Sequence, residues 1–194
     1  MDIFGFKHTV VSQSASLYRV SRETFLQLEN SKEKGEFNIP ALAKSYSTFE
    51  GSFMGLEFVL SKGQKKETAD LIAEIFNPTK KMGMQGTQAM DQLNEEDILA
   101  MFESYESGEI IYYLDSSTVS QINTFLKTQS TAQVIARYNN EELNENGIYP
   151  EVWTAGYSRE TAYNELHITE DLAELKNIFE AADLDQDSIL VFVG

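Results

Sequence analysis

The order of predicted elements places this chain in the α+β class, as a single domain of about seven helices on a small mixed sheet. Helical and strand patterns do not alternate strictly, which favours α+β over a doubly wound fold. The 194 residues are enough for one domain with a sizeable core. The chain has no cysteine, so this core needs neither disulfides nor a cysteine metal site.

The N-terminal segment predicts a strand followed by a capped helix. Residues 15–20 are partly β-branched or aromatic, which is typical of a strand. Ser21 has the position of a helix N-cap, and Val20 with Phe25 forms a hydrophobic staple around it. Gly35 is expected to end this helix.

Two further helices are predicted between residues 49 and 76. Spacings of four, three and four predict the first from Phe49, Phe53, Leu56 and Leu60. Gly51 and Gly55 lie inside this pattern and cost up to about 1 kcal/mol each relative to alanine, so we expect another element to pack closely there. The second helix is predicted from Leu71, Ile72, Ile75 and Phe76, and Asn77–Pro78 ends it.

Residues 77–94 are predicted to form a loop, and its stretch TKKMGMQGTQ is the only locally basic loop predicted. Its Gly83–Gly86 turn lacks the flanking elements of a phosphate-binding loop, so a surface loop is the simpler interpretation. A helix is expected to follow, with its apolar face at Ile98, Phe102 and Tyr105.

The C-terminal half predicts a strand, three helices and a final strand. Residues 109–114 form the first strand, and Ser116 or Ser117 is expected to cap the helix that follows. Ser130 is expected to cap the next helix, and Thr169 to start the last one. Residues 189–193 are apolar on both faces, which predicts a central strand.

The net charge of −16 is concentrated in the second half of the chain. Residues 98–194 carry 17 acidic and 4 basic residues, against 14 and 11 in residues 1–97. Such a surface repels nucleic acid and anionic lipid and attracts cationic partners. No apolar run is long enough to span a bilayer, and no signal peptide is recognised, so a cytoplasmic location is expected. Solubility alone is an alternative reason for the charge.

Metal, cofactor and nucleophile signatures are weak, so we predict no cofactor, no metal site and no catalytic residues. His8 and His167 are the only imidazoles, too few for a usual zinc site. Asp183, Asp185 and Asp187 resemble half of a calcium loop, but Gly194 stands where the bidentate glutamate belongs. No nucleophile elbow occurs, and the 31 acidic residues give no spacing that selects a catalytic pair. An enzyme is therefore not favoured.

The segment around Tyr149, Pro150, Glu151 and Trp153 has two interpretations. Trp153 beside a carboxylate can be an aromatic anchor for a partner's arginine or lysine. Alternatively, its ring is part of the core and its indole N–H donates to a backbone carbonyl. With the acids Glu141, Glu142 and Glu145, this segment is the candidate binding site.

Four segments together resemble the YfbM-like family of small bacterial proteins, which has no assigned activity. They are AKSYSTFEGSFMGLEFVLSKG, EIIYYLDSSTVSQINTFL, ARYNNEELNENGIYPEVW and DLAELKNIFEAADLDQDSILVFVG, in that order along the chain. The resemblance implies an α+β domain over residues 1–194. Relative to the family, residues 1–13 are an N-terminal addition and residues 77–94 a loop insertion.

Two functions from different classes remain open. The first is a non-catalytic binding protein for a basic protein partner, which suits an antitoxin-like or immunity-type inhibitor. The second is a small-molecule-binding domain or an enzyme with a pocket that no motif marks. A pocket with converging carboxylates of perturbed pKa would favour the second function, and a flat acidic face the first.

Overall fold

Five strands form one sheet, and helices pack on both of its faces. The structure, a computed structural model, describes residues 13–31, 37–83, 110–161 and 163–194. In these ranges the strands are β1 (Ser14–Val20), β2 (Ser45–Glu50), β3 (Lys81–Met82), β4 (Ile111–Leu114) and β5 (Ser188–Val193). The helices are α1 (Arg22–Asn30), α2 (Ile39–Leu42), α3 (Phe53–Ser61), α4 (Lys66–Ala73), α5 (Ser116–Thr128), α6 (Thr131–Ile135), α7 (Asn140–Glu145) and α8 (Glu165–Asp185). The predicted α+β class is confirmed.

The strand order is β2-β1-β5-β4-β3, and β5 is central, as its apolar faces predicted. All described pairings are antiparallel, so the prediction of a mixed sheet is wrong. Ile189 and Val191 face the larger apolar cluster, which contains α3, α5 and α8. Leu190 faces a smaller cluster with α1 and α2. The single core expected of the domain is therefore two clusters, one on each face of the sheet.

Local capping chemistry defines several helix starts. Ser21 accepts a hydrogen bond from the Thr24 N–H at 3.1 Å, and Ser130 forms a capping box with Gln133, as predicted. The cap of α5 is Asp115, not Ser116 or Ser117, because its carboxylate accepts from the Thr118 N–H at 2.9 Å.

The last helix begins earlier than predicted. Asn164 caps α8, and its side chain accepts from the Leu166 N–H at 2.9 Å. Thr169, the expected start, lies inside the helix and donates its hydroxyl proton to the Glu165 carbonyl. The early start adds a turn that carries His167 into the helix.

The helix predicted from Phe49 to Leu60 is wrong in its first turn. Phe49 lies in β2, and Gly51 turns the chain with φ +69° before α3 begins at Phe53. The helical spacing of Phe49 is thus a coincidence that pairing with β1 overrides. The helix predicted to reach Phe76 ends earlier, since α4 stops at Ala73.

Part of the predicted loop 77–94 is a strand. Lys81–Met82 form β3 and pair with β4, where Met82 is buried. Residues 84–94 of that loop, the helix predicted from Ile98, Phe102 and Tyr105, and residues 1–12 of the predicted addition 1–13 lie outside the described residues.

The three aspartates that resemble a calcium loop are held by other side chains. Asp183 accepts from the Asn123 amide at 2.7 Å, and Asp185 contacts Lys44 Nζ at 3.1 Å. The Asp187 side chain is 2% exposed, with Lys44 Nζ at 2.8 Å and Arg19 Nε at 3.1 Å. Asp185 and Asp187 join the end of α8 to β1 and to the start of β2, and Asp183 joins it to α5.

None of the helices in the described segments is both long enough and apolar enough to cross a membrane. The longest, α8, has charged residues along its length and packs against the sheet and α5.

Candidate functional site

The acidic residues selected from the sequence lie on and near α7. Glu141 and Glu145 are exposed, whereas Glu142 forms an ion pair with Lys62. Glu151 is exposed with φ +61°, and Tyr149 is half-buried before Pro150. A Cβ built at Gly147 would lie 3.9 Å from Glu151 Oε1, which places Glu151 beside the end of α7.

Trp153 belongs to the core. Its side chain is 2% exposed, and its indole N–H donates to the Ile148 carbonyl at 2.9 Å. The Asn144 side chain holds the Trp153 backbone, with both hydrogen bonds at 2.9 Å. The ring packs directly on Gly55, where a Cβ would overlap its carbon atoms. The structure agrees with the interpretation of Trp153 as a core residue, so its ring is not available as a surface anchor.

A cleft that the sequence did not indicate lies between β2 and the N-terminal turns of α8. Its volume is about 470 Å³. The lining combines hydroxyl, phenol, imidazole and carboxyl groups, from Thr48, Glu50, Ser52, Tyr163, His167 and Asp171. Polar and titratable side chains thus meet from two separate parts of the chain, residues 48–52 and 163–171.

Local backbone geometry positions the cleft residues. The positive φ of Gly51 ends β2, and a Cβ there would lie 2.7 Å from the Tyr163 hydroxyl oxygen. Tyr163 itself has φ +38° just before α8. His167 Nδ1 accepts the Asn164 N–H at 3.3 Å, which fixes the imidazole against the helix start. Ser47 donates to Glu174 at 2.7 Å and joins β2 to α8.

Asp171 is the most perturbed acid of the cleft. Burial raises its pKa from 3.8 to about 6, while a hydrogen bond from Ser52 opposes the shift. Charge repulsion from Glu170 and Glu174 raises the pKa further. Its Oδ2 is buried and has no hydrogen-bond partner among the described residues. A carboxylate in this state has an unused acceptor and titrates close to neutral pH.

Tyr163 and His167 add a phenol and an imidazole beside this carboxyl group. Their ring centroids are 5.8 Å apart. Burial, followed by the charges of Tyr149, Glu50 and Asp171, raises the pKa of Tyr163. The phenol therefore stays protonated at neutral pH and can donate a hydrogen bond. With Glu50, the cleft offers two carboxylates, which disfavour an anion and suit a cation or a hydrogen-bond donor.

The sequence carried one signal of this cleft that was missed. His167 and Asp171 are spaced i, i+4 and so lie on one face of α8. Because the chain has so many acidic residues, this spacing did not stand out. The packing of β2 against α8 could not be deduced from local spacing. In the described ranges, no three His, Asp or Glu residues are grouped as a metal site requires.

Comparison with known proteins agrees with this fold. The sequence matches the family described as a domain of unknown function, DUF1877, over residues 12–192, and the chain belongs to that family. It is also similar to the crystal structure of YfbM from Escherichia coli, a protein of unknown function. The TM-score is 0.53 at 12% identity, covering 93% of this chain and 99% of YfbM, so this likeness concerns the fold. No curated protein sequence matches the chain.

The pKa of Asp171 predicts a measurable pH effect on stability. Because folding raises this pKa, the folded state binds more protons than the unfolded state between 3.8 and about 6, and stability falls as pH rises. The loss is at most about 3 kcal/mol. We expect Asp171→Asn to remove this loss. Between about pH 4 and pH 7, the free energy of unfolding of the variant should therefore rise by about 1–3 kcal/mol relative to that of wild type.

Urea unfolding at several pH values measures this effect. Glu57 on α3 is the matched control, because burial raises its pKa from 4.5 to about 7 and it does not line the cleft. Glu57→Gln should remove a separate part of the pH dependence. Parallel pH profiles for wild type and Asp171→Asn would show that Asp171 is not perturbed.

Proposed function

We propose that this chain is a binding protein whose acidic cleft receives a cationic group, such as a lysine or arginine side chain or another organic amine. The observation that carries this proposal is the buried Asp171 Oδ2 without a hydrogen-bond partner in the described ranges. A guanidinium or ammonium group in the cleft would lie beside this carboxylate and offset the cost that burial, and then repulsion from Glu170 and Glu174, impose on its charge. The proposal therefore joins two features that the sequence analysis kept apart, a pocket and a basic partner.

The charge distribution supports a cationic ligand from a larger partner. Residues 141–187 contain 13 acidic and 2 basic residues, a net charge of −11, and they include His167 and Asp171 of the cleft. Such a field steers cationic molecules toward the surface and disfavours nucleic acid and anionic lipid. An inhibitor of the antitoxin or immunity type, acting on a basic protein in the bacterial cytoplasm, is consistent with this role.

Titration with N-acetylarginine methylamide tests the cleft directly. We expect chemical-shift changes for Glu50, Tyr163 and Asp171 in NMR spectra. The citrulline analogue has nearly the same shape without the charge, and we expect it to bind about tenfold more weakly. Asp171→Asn and Glu50→Gln should each weaken arginine binding by a similar factor. Equal binding of the two analogues would contradict the proposal.

The α7 surface is a second candidate for binding a basic protein. Glu141 and Glu145 are exposed one helical turn apart, and Val152 and Tyr157 are exposed apolar side chains of the following loop. The double variant Glu141→Gln/Glu145→Gln is therefore the control, and we expect it to retain arginine binding. If this variant loses affinity for the arginine probe and the cleft variants keep it, cation binding belongs to the α7 surface.

A further inference from the structure

Among the residues that the structure describes, the outer edge of β2 is open to another strand. No strand within residues 13–31, 37–83, 110–161 or 163–194 pairs with it. Proteins usually protect strand edges by shortening them, or with lysine or proline. The opposite edge fits this rule, because β3 has two residues and one of them is Lys81. In contrast, β2 is six residues long, with the sequence SYSTFE, and contains neither lysine nor proline.

Backbone groups of β2 point outward at regular positions. Gly51 donates its N–H to the Gln13 carbonyl at 2.8 Å, in the register of the β1–β2 pairing. Because inward and outward groups alternate along an antiparallel strand, Tyr46 and Thr48 direct their N–H and C=O groups away from β1. Glu50 directs its N–H outward, while its carbonyl accepts from the Ser52 N–H at 2.8 Å.

The cleft lies beside this open edge. Ser47 and Phe49 point to the face of the sheet that α8 covers, where Ser47 contacts Glu174. Thr48 alternates with them and lies on the other side of the strand. A cleft lined by both Thr48 and Asp171 must therefore pass the edge of β2. A side chain from a strand added here would reach the cleft carboxylates.

An aromatic surface lies on the other side of the same edge. Tyr46 is 61% exposed and stacks on Tyr18, with ring centroids 5.6 Å apart. A side chain directly opposite Tyr46 on an added strand would cover this ring, and such cross-strand aromatic pairs stabilise sheets. Both faces of an added strand thus have contacts available.

We propose that an extended segment of a basic partner protein adds to β2 as a further strand and places a lysine or arginine in the cleft. This inference rests on the proposed function, because the cleft supplies the carboxylates for that side chain. Charge selects this occupant over a second copy of the chain. Two copies of net charge −16 would bring their acidic clefts together, whereas a basic segment complements Glu50 and Asp171.

A seven-residue acetylated peptide of alternating valine and arginine tests strand addition. We expect its binding to slow amide hydrogen exchange of Tyr46 and Thr48 by at least about tenfold, because those N–H groups acquire acceptors. Strand addition uses alternate peptide amides. N-methylation of one alternate set should therefore weaken binding by about tenfold or more, and methylation of the other set should have little effect.

The variant Tyr46→Pro removes one outward N–H at an edge position that tolerates proline and does not line the cleft. It should lose peptide binding but keep binding of N-acetylarginine methylamide, provided that its melting curve remains cooperative. The methylated peptides test the proposal even if this variant does not fold.

The possible results separate the two proposals. If both N-methylated peptides lose affinity equally while the arginine probe still binds, strand addition is overturned and the proposed function stands. If neither the peptide nor the arginine probe binds, both proposals are overturned. A dimer detected by sedimentation and abolished by Tyr46→Pro would assign the edge to a second copy and overturn the basic occupant.

Discussion

Gly55→Ala should destabilise the protein by about 3 kcal/mol or more, near the upper end for overpacked cores. The added methyl group would overlap ring carbons of Trp153, which is buried and held by Ile148 and Asn144. Neither the ring nor the helix can shift without disturbing the surrounding apolar cluster. Urea unfolding of the variant and of wild type measures the difference.

Two further variants test the cause of this loss. At Gly63, φ is +75° but a Cβ would meet no atom within 4 Å, so Gly63→Ala should cost only about 1 kcal/mol of backbone strain. Combining Gly55→Ala with Trp153→Phe should cost less than the sum of the two single changes, because the smaller ring leaves room for the methyl group. Additive losses would show that the two residues are not in contact.

Phe53→Ala should cost about 3–5 kcal/mol. Phe53 is 5% exposed at the start of α3, and its ring centroid lies 5.3 Å from that of Phe76. Truncation would leave a cavity in the larger apolar cluster, at the start of the helix whose Gly55 packs on Trp153. The denaturant midpoint and the slope of the transition together measure this cost.

The control for this prediction is Tyr157, which is 61% exposed in the loop before α8. Tyr157→Ala should change stability by no more than about 0.5 kcal/mol. A denaturant midpoint of Phe53→Ala equal to that of wild type would show that Phe53 does not contribute to the core.

Local chemistry was enough to predict the elements that depend on neighbouring residues. Ser21 and Ser130 cap their helices as expected, because an N-cap needs only a side-chain acceptor and the amides of the next turn. The apolar β5 was correctly placed at the centre of the sheet. Gly55 correctly indicated a close approach, but the residue that approaches, Trp153, comes from a distant segment.

The errors arose where distant residues decide the conformation. Phe49 matches a helical period, yet its backbone pairs with β1, and no local pattern contains that information. Trp153 could be interpreted as a surface or a core residue, because only the fold shows that Gly55 leaves space for the ring. The cleft combines Glu50 with Tyr163 and Asp171, whose proximity depends on the packing of α8 against β2.

The pKa of Asp171, measured by carbon NMR with and without N-acetylarginine methylamide, tests the central claim most directly. We expect a pKa of about 6 in the free protein. We also expect this pKa to fall by at least about one unit at saturating ligand, because a bound cation stabilises the ionised carboxylate. An unchanged pKa in the presence of bound arginine would contradict the claim that this cleft receives the cationic group.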